Sequence, residues 1–369
     1  MGNVIVIGGN HHNTLGVIRS LGEKGIHADV VLVTTDNKPF VGYSKYIQSL
    51  HTISNDCEIT PYLLANLKDE DKKSVVICCS DASSSEIDLY AEALAPHFIV
   101  PGADEQGRIT RLMNKRLMSE MASECGLNVP ISFYPDHLPV SDCEVTLPCI
   151  IKPMVSKDGS KEDIRVCYQL DDVNECVKHI GVGNAQIQQF IDKDFEYQLI
   201  GCSTDNEVVI PGVSRILRPC KGSNTSFLRY EPVDEGFCDL ERCKGYVRRT
   251  GYRGLFSLEF LRDKNGHDNF LEINFRNDGN AICVTEAGVN LPYIWYLACT
   301  GQDYRDEMNK PIKASYVMPD CAELKLLLTG QISLREYMKD LRKTDRFMEY
   351  DRQDLKPFWR MVRAKLHLW

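Results

Sequence analysis

Short apolar runs alternating with helically spaced segments fill the first hundred residues. NVIVIGG, residues 3 to 9, is a solid apolar block ending in glycines and predicts a buried strand, while NTLGVIRSLGEKGI repeats Leu15, Ile18 and Leu21 at helical spacing. ADVVLVT, then SVVICCSD (74 to 81) and HFIVPG (97 to 102), predict further strands around a helical SSSEIDLYAEALAP. Such alternation predicts an α/β unit with an open, mainly parallel, Rossmann-like sheet over residues 1–105.

EQGRITRLMNKRLMSEMASECG, from Glu105 to Gly126, predicts one helix with a glycine stop, followed by extended NVPISFY and the linker YPDHLPVSD. Beyond it the pattern changes. CIIKP, EDIRVCY, AQIQQFI, EYQLIGCS, EVVIPGVSRIL, GLFSLEFLRD and DNFLEINF follow one another like hairpins with few helices between them, an α+β arrangement on antiparallel sheets.

A chain of 369 residues is long enough for two or three domains, since one core stops growing near ~250–300 residues. Its 43% hydrophobic and 26% charged residues are those of an ordinary globular protein, and a net charge of −9 argues against a general nucleic-acid binder. Fifteen cysteines, odd in number, irregularly spaced and without CxxC, read as reduced buried thiols rather than a disulfide or zinc framework. MGNVIVIGGN begins on an apolar run without a basic leader, and no stretch approaches the ~20 apolar residues of a membrane span. The expectation is a cytoplasmic protein. The end, RQDLKPFWRMVRAKLHLW, interleaves Arg352, Lys356, Arg360, Arg363 and Lys365 with Phe358, Trp359, Met361, Leu366 and Trp369. It reads as an amphipathic helix docked on the body, with peripheral contact to an anionic membrane as the alternative.

Candidate chemistry concentrates in SLEFLRDKNGHDNFLEINF, where two strands flank a turn whose NG is a strong hairpin signal. Alternation puts Glu272, Asn274 and Arg276 on one face and Leu271 and Ile273 on the other, with Glu259 brought alongside by the partner strand. Two carboxylates and an amide oxygen gathered there call for cations, and hard oxygen ligands suit Mg²⁺ shared with phosphates. The same residues also read as a solvated strand face. Lys152 ends the apolar run CIIKP, Lys115 adds a cation, and MVSKDGSKED offers Ser156, Gly159 and Ser160 as a phosphate-wrapping loop. In IQQFIDKDFEYQL, Gln189, Phe190 and Ile191 can present backbone groups to an adenine edge and Glu196 can take ribose hydroxyls. By contrast, Gly8, Gly9 and Gly16 miss the GxGxxG spacing and the second strand lacks a terminal acid, which argues against NAD. His11 and His12 receive no role.

The ordered set NKRLM, IKP, QQFI, SLEF and LEIN, over about residues 1 to 305, resembles the ATP-grasp superfamily of carboxylate-amine ligases. GGNHHNTLGVIRSLG and EINFRNDGNAICVTEAGVNLPYIWYLACTG resemble more narrowly a carbamoyl phosphate synthetase-like branch near D-aspartate ligase. The resemblance implies a Rossmann-like domain (1–105), two ATP-grasp subdomains (106–185 and 186–310) and a helical C-terminal extension (311–369). It implies ATP and Mg²⁺, with Mn²⁺ as a substitute. Lys115 and Lys152 would hold phosphates, Gln189 to Ile191 would frame adenine, Glu196 would meet ribose, and Leu271 joins the nucleotide-binding set. Glu259, Glu272 and Asn274 would be the metal ligands, and Arg276, with Lys152, would steady an acyl phosphate. EINFR stands here where the family has EINPR, and the loop has a single glycine.

The implied reaction turns a carboxylate into an acyl phosphate, which an amine then attacks; the partners are small molecules, with homodimers common among relatives. Arg215 and Asn280 are the candidate substrate contacts, with Arg218, Lys221 and Ser226 in the same stretch. Phosphorylation of bicarbonate or carbamate, and a non-catalytic nucleotide-binding protein, are the alternatives.

Overall fold

The computed structural model describes residues 3–141, 145–154, 164–219, 226–234 and 236–365. Five parallel strands form the first sheet, in the order Ile47–Ile53, Ala28–Val33, Val4–Gly9, Ser74–Cys78, Phe98–Ile99. The two central strands are apolar on both faces because helices cover both. The edge strand Ile47–Ile53 alternates half-buried and exposed positions and escaped the run-based reading. The strand order reverses between Val4–Gly9 and Ser74–Cys78, so a crevice opens at the carboxyl ends of these two strands. Gly8 lines the tight turn there: a Cβ would collide with the Thr14 hydroxyl and with Cys79.

The helix expected from Glu105 to Gly126 is two helices, Arg108–Leu112 and Lys115–Glu124. Asn114 is the reason. Its side chain accepts from the backbone N–H groups of Arg116 and Leu117, so it starts a new helix within the run. That places Lys115 in the first turn, and its backbone N–H donates to the Met154 carbonyl (3.1 Å) beside the strand that bears Lys152.

A four-stranded antiparallel sheet follows, ordered Ser132–Phe133, Ala185–Gln189, Cys149–Pro153, Arg165–Cys167. It is backed by the helix Leu170–Ile180, which buries Val173, Cys176 and Val177 against Cys149, Ile151 and Ile187. This helix was not expected, since its three apolar anchors are diluted by LDD and NE. The hinge after Gln189 leads into the large sheet, ordered Asp268–Asn274, Gly254–Asp263, Lys193–Ser203, Val213–Pro219, Ser226–Glu231, Ser315–Met318, Arg346–Phe347, with Val208–Val209 paired to the third of these. One face packs on helices Lys115–Glu124 and Leu240–Thr250. The other packs on the parallel-sheet unit and helix Leu291–Cys299.

The last stretch, expected to be helical, also adds strands Ser315–Met318 and Arg346–Phe347 to the large sheet. Its final helix, Leu355–Lys365, buries Pro357 and Met361, and Arg360 Nε donates to the Lys38 carbonyl (3.1 Å), as a docked helix requires; Trp359 stays exposed. Among the described residues no helix is long and apolar enough to cross a membrane, and the thiols are free.

Candidate functional site

The hairpin Gly254–Asp263/Asp268–Asn274 sets Glu259 opposite Glu272 and Ser257 opposite Asn274. Its pairing skips Leu271, a β-bulge that breaks simple alternation. Phe270 and Ile273, three residues apart, consequently pack into one core, and Leu271 is half-buried outside it. Leu271 therefore does not share the face of Ile273 as alternation predicts.

Asn274 Nδ2 donates to Glu259 Oε1 (3.0 Å) and to Ser257 Oγ (3.2 Å), and Gln198 Nε2 donates to the same Glu259 oxygen (3.1 Å). Asn280 Nδ2 in turn donates to Gln198 Oε1 (2.9 Å), which brings Asn280 into the cluster. Burial, and then the charges of Glu272 and Asp278, raise the Glu259 carboxyl above the ordinary range against the pull of Arg276 and Gln198. Lys115 Nζ stands 3.9 Å from Glu272 Oε2. Burial pushes the Lys152 ammonium down to about 8; Lys115 adds to this, while Glu272 and Glu259 oppose it. Two lysines thus face two carboxylates across the gap between the small and large sheets.

Arg276 is held by protein partners. Its Nε donates to Asp81 Oδ1 (3.1 Å), Nη1 to Asp278 Oδ2 (3.4 Å) and Nη2 to Asn274 Oδ1 (3.1 Å). Against the desolvation that would lower it, Asp81, Asp278 and Glu259 hold its pKa above the ordinary value. The neighbouring Asn277 fills the crevice of the parallel sheet: its backbone N–H donates to the Cys78 carbonyl (3.0 Å), its Nδ2 to Asn13 Oδ1 (2.5 Å), and Asn13 Nδ2 returns a bond to the Asn277 carbonyl (2.9 Å).

The other sequence candidates divide. Glu196 shares the strand face of Gln198 and Glu259, and its carboxylate pairs with Lys193 (2.5 Å). Gln189, Phe190 and Ile191 occupy the hinge between the sheets, with Gln189 exposed and the other two half-buried. Arg215 is not brought to the cluster. It is in register with Tyr197, on the opposite face from Gln198 and Glu259, and its guanidinium stacks on the Phe195 ring at 3.9 Å. Ser156, Gly159, Ser160 and Lys221 lie outside the described residues.

Sequence reasoning missed Gln198, Ser257, Asp278 and Asp81. Gln198 is the one polar residue in the run YQLIG, and Asp278 follows Arg276 by two positions, so both carried a signal. Asp81 carried none, because its partner is distant in the chain. Among the described residues no three acidic, histidine or cysteine side chains converge on one point; the hairpin brings together two carboxylates, Glu259 and Glu272, and the Asn274 amide. A cavity of about 1020 Å³, lined among others by Lys73, Phe98, Asp205, Arg253, Trp295 and Tyr304, contains none of these residues. Its charged lining is paired within itself, Arg253 with Asp104 and with Asp205, so the candidate site is placed by the lysine and carboxylate cluster rather than by the volume.

No family model matches the chain, and no curated protein matches it. Solved structures do. An L-amino acid ligase from Bacillus licheniformis superposes with a TM-score of 0.65 at 14% identity, over 85% of this chain and 79% of that one. An N5-carboxyaminoimidazole ribonucleotide synthetase from Thermus thermophilus gives 0.65 at 14%, over 88% and 87%. The biotin carboxylase domain of the Hydrogenobacter thermophilus 2-oxoglutarate carboxylase, crystallised with MgADP, ADP and bicarbonate, gives 0.64 at 15%, over 86% and 74%. Together with the three sheets and the charge cluster between them, these likenesses identify the fold of this chain as that of the ATP-grasp ligases.

Proposed function

We propose that the protein is an ATP-dependent ligase that activates a small-molecule carboxylate as an acyl phosphate and joins it to an amine, an amino acid being one of the two substrates. The observation that carries this reading is the meeting of Lys115 and Lys152 with Glu272 and Glu259 between two sheets. Carboxylates this close are mutually unfavourable when unneutralised; burial first, and then the charges of Glu272 and Asp278, raise the pKa of Glu259.

The donor set fits Mg²⁺ bound with a nucleotide, because Mg²⁺ takes one or two carboxylates and completes its shell with phosphate oxygens and water. In the proposed enzyme Glu259, Glu272 and Asn274 hold the metal, which supplies neutralisation of phosphate charge when bound. Lys115 and Lys152 bind phosphate oxygens, and the hinge residues Gln189 to Ile191, with Glu196 and Leu271, hold the nucleoside. Arg276 acts through Asn274, whose carbonyl oxygen it orients, and it carries positive charge at the edge where an acyl phosphate would form. No nucleophilic side chain is required, since catalysis of this kind is positioning and electrostatic stabilisation. The four-part division at 105, 185 and 310 belongs to the same proposal.

Phosphate release from MgATP, screened over amino acids paired with candidate carboxylates, tests the reading; no turnover with any pair, together with no binding of MgADP, would overturn it. A second reading, bicarbonate as the acid that is phosphorylated, draws support from the fold neighbour crystallised with bicarbonate. ATP turnover that depends on bicarbonate and needs no other carboxylate would favour it.

A further inference from the structure

At the carboxyl end of the central parallel strand Val4–Gly9, the loop GGNHHN leads into the helix His12–Gly22. The first turn of this helix contains no acidic residue, in a chain whose net charge is −9. Its N-cap is an imidazole: the Asn13 backbone N–H donates to His11 Nδ1 (3.3 Å). That bond fixes the tautomer. With Nδ1 accepting, the proton of the neutral ring is on Nε2, so His11 turns a hydrogen-bond donor outward.

His12 packs at a tilt against His11 with ring centroids 3.7 Å apart, is only 7% exposed, and its Nε2 has no partner among the described residues. A buried ring nitrogen without a partner is costly, so it marks a place where something else completes the bonding. Burial, and then the nearby Arg276, lower the pKa of His11; burial, and then His11, lower that of His12. Burial thus favours the neutral form of both rings. Beside them Gly9 adjoins open space, since a Cβ built there meets nothing within 4 Å.

We infer that His11, His12 and the N-terminus of helix His12–Gly22 form a carboxylate-binding subsite that selects the amine substrate of the proposed ligase by its free carboxylate. The inference rests on the ligase reading for the identity of the ligand as a substrate. The partial positive charge of the helix end and the Nε2–H of His11, joined by His12 when its proton is on Nε2, suit an anion without adding a formal charge that would compete with Arg276 for Asp81. An amine substrate bearing a carboxylate would be anchored here, with its amino group directed toward Arg276 and the metal strand. His11 and His12 are specificity residues in this scheme and take no proton from the substrate.

The test is histidine ¹⁵N spectroscopy of the full-length protein with MgADP, titrated separately with acetate, glycine and acetamide. His11→Gln and His12→Asn assign the two rings and measure their part in binding. The expected result is a saturable shift of both Nε2 signals with acetate and glycine but not with acetamide, and affinity reduced by about tenfold in His12→Asn, the loss of one hydrogen bond to a charged group. Absence of saturable shifts with both carboxylates, or equal shifts with acetamide, overturns the subsite. Calorimetry of MgADP on the same samples separates the two ideas: failure of nucleotide binding sinks the ligase reading, whereas bound MgADP with silent histidines sinks this inference alone.

Discussion

Arg276 Nε donates to Asp81 Oδ1 across 3.1 Å, joining the segment that follows the hairpin Gly254–Asp263/Asp268–Asn274 to the start of the helix Asp81–Leu89 in the parallel-sheet unit. The same guanidinium also serves Asp278, and both it and Asp278 are well shielded from water. Arg276→Met would leave Asp81, Asp278 and Glu259 without their cation. Unfolding by urea in the absence of divalent ions should show a loss of about 3–5 kcal/mol, the usual result of removing one partner from a buried ionic network. A midpoint equal to that of the parent protein would show that the arginine does not neutralise these acids.

Glu272 is the more open of the two facing carboxylates, with a side chain 28% exposed and the Lys115 ammonium at 3.9 Å. Glu272→Gln keeps its shape and removes its charge. The expected outcome is ATP turnover reduced by at least about a hundredfold, the scale set by losing a group that stabilises charge in the transition state, with thermal unfolding little changed. Near-normal phosphate release by this variant, with a substrate pair that works in the parent, would refute the assignment of Glu272 to the metal.

The parallel sheet and the Glu259/Glu272 hairpin were legible because each is encoded locally: NVIVIGG and SVVICC are buried on both faces, and NG fixes the turn between two strands. What was hidden depends on tertiary context. Asn114 splits a continuous helical pattern by capping within it, and the bulge at Leu271 changes a face assignment that pure alternation gets wrong. Arg215 illustrates the same limit, since one strand does not reveal which of its faces meets the site. Arg276 could be singled out as a functional cation from its strand, but Asp81 lies in another sheet unit and nothing in SDASSS announces the pairing.

Lys152 gives a pH signature. Its ammonium titrates near 8 instead of the ordinary 10.5, chiefly because of burial. As pH rises through about 8 the folded protein loses this charge before the unfolded chain does. Between the two values the unfolded state binds more protons, so this group makes stability rise with pH, while affinity for nucleotide phosphates falls. In the parent, the Kd for MgADP measured by calorimetry should therefore increase from about pH 8 upward. Lys152→Arg, charged throughout, should flatten that dependence; an unchanged slope would mean that another group is responsible.

The C-terminal segment is anchored through a buried arginine on the first helix. Arg19, 1% exposed, donates through Nε to Asp354 Oδ2 (3.1 Å), through Nη2 to the Asp354 carbonyl (3.0 Å), and through Nη1 to the carbonyls of Met348 (3.2 Å) and Glu349 (3.0 Å). Asp354 also accepts from Ser44 Oγ (2.8 Å) and the Lys45 backbone N–H (3.0 Å), so one carboxylate joins three parts of the chain. Asp354→Ala removes the carboxylate nearest the guanidinium, leaving it to backbone carbonyls and to Asp351 at 3.9 Å, and unpairs two donors, so a loss of about 3 kcal/mol is expected by urea unfolding. Truncation after Asp354 keeps that knot and removes only the docked helix, so it should cost less. Since the helix spends Pro357, Met361 and Arg360 on the body of the protein, flotation with anionic vesicles should not differ between the full chain and the truncated form. Recovery with vesicles that is lost on truncation would show instead that the exposed Trp359 and its basic neighbours reach a membrane.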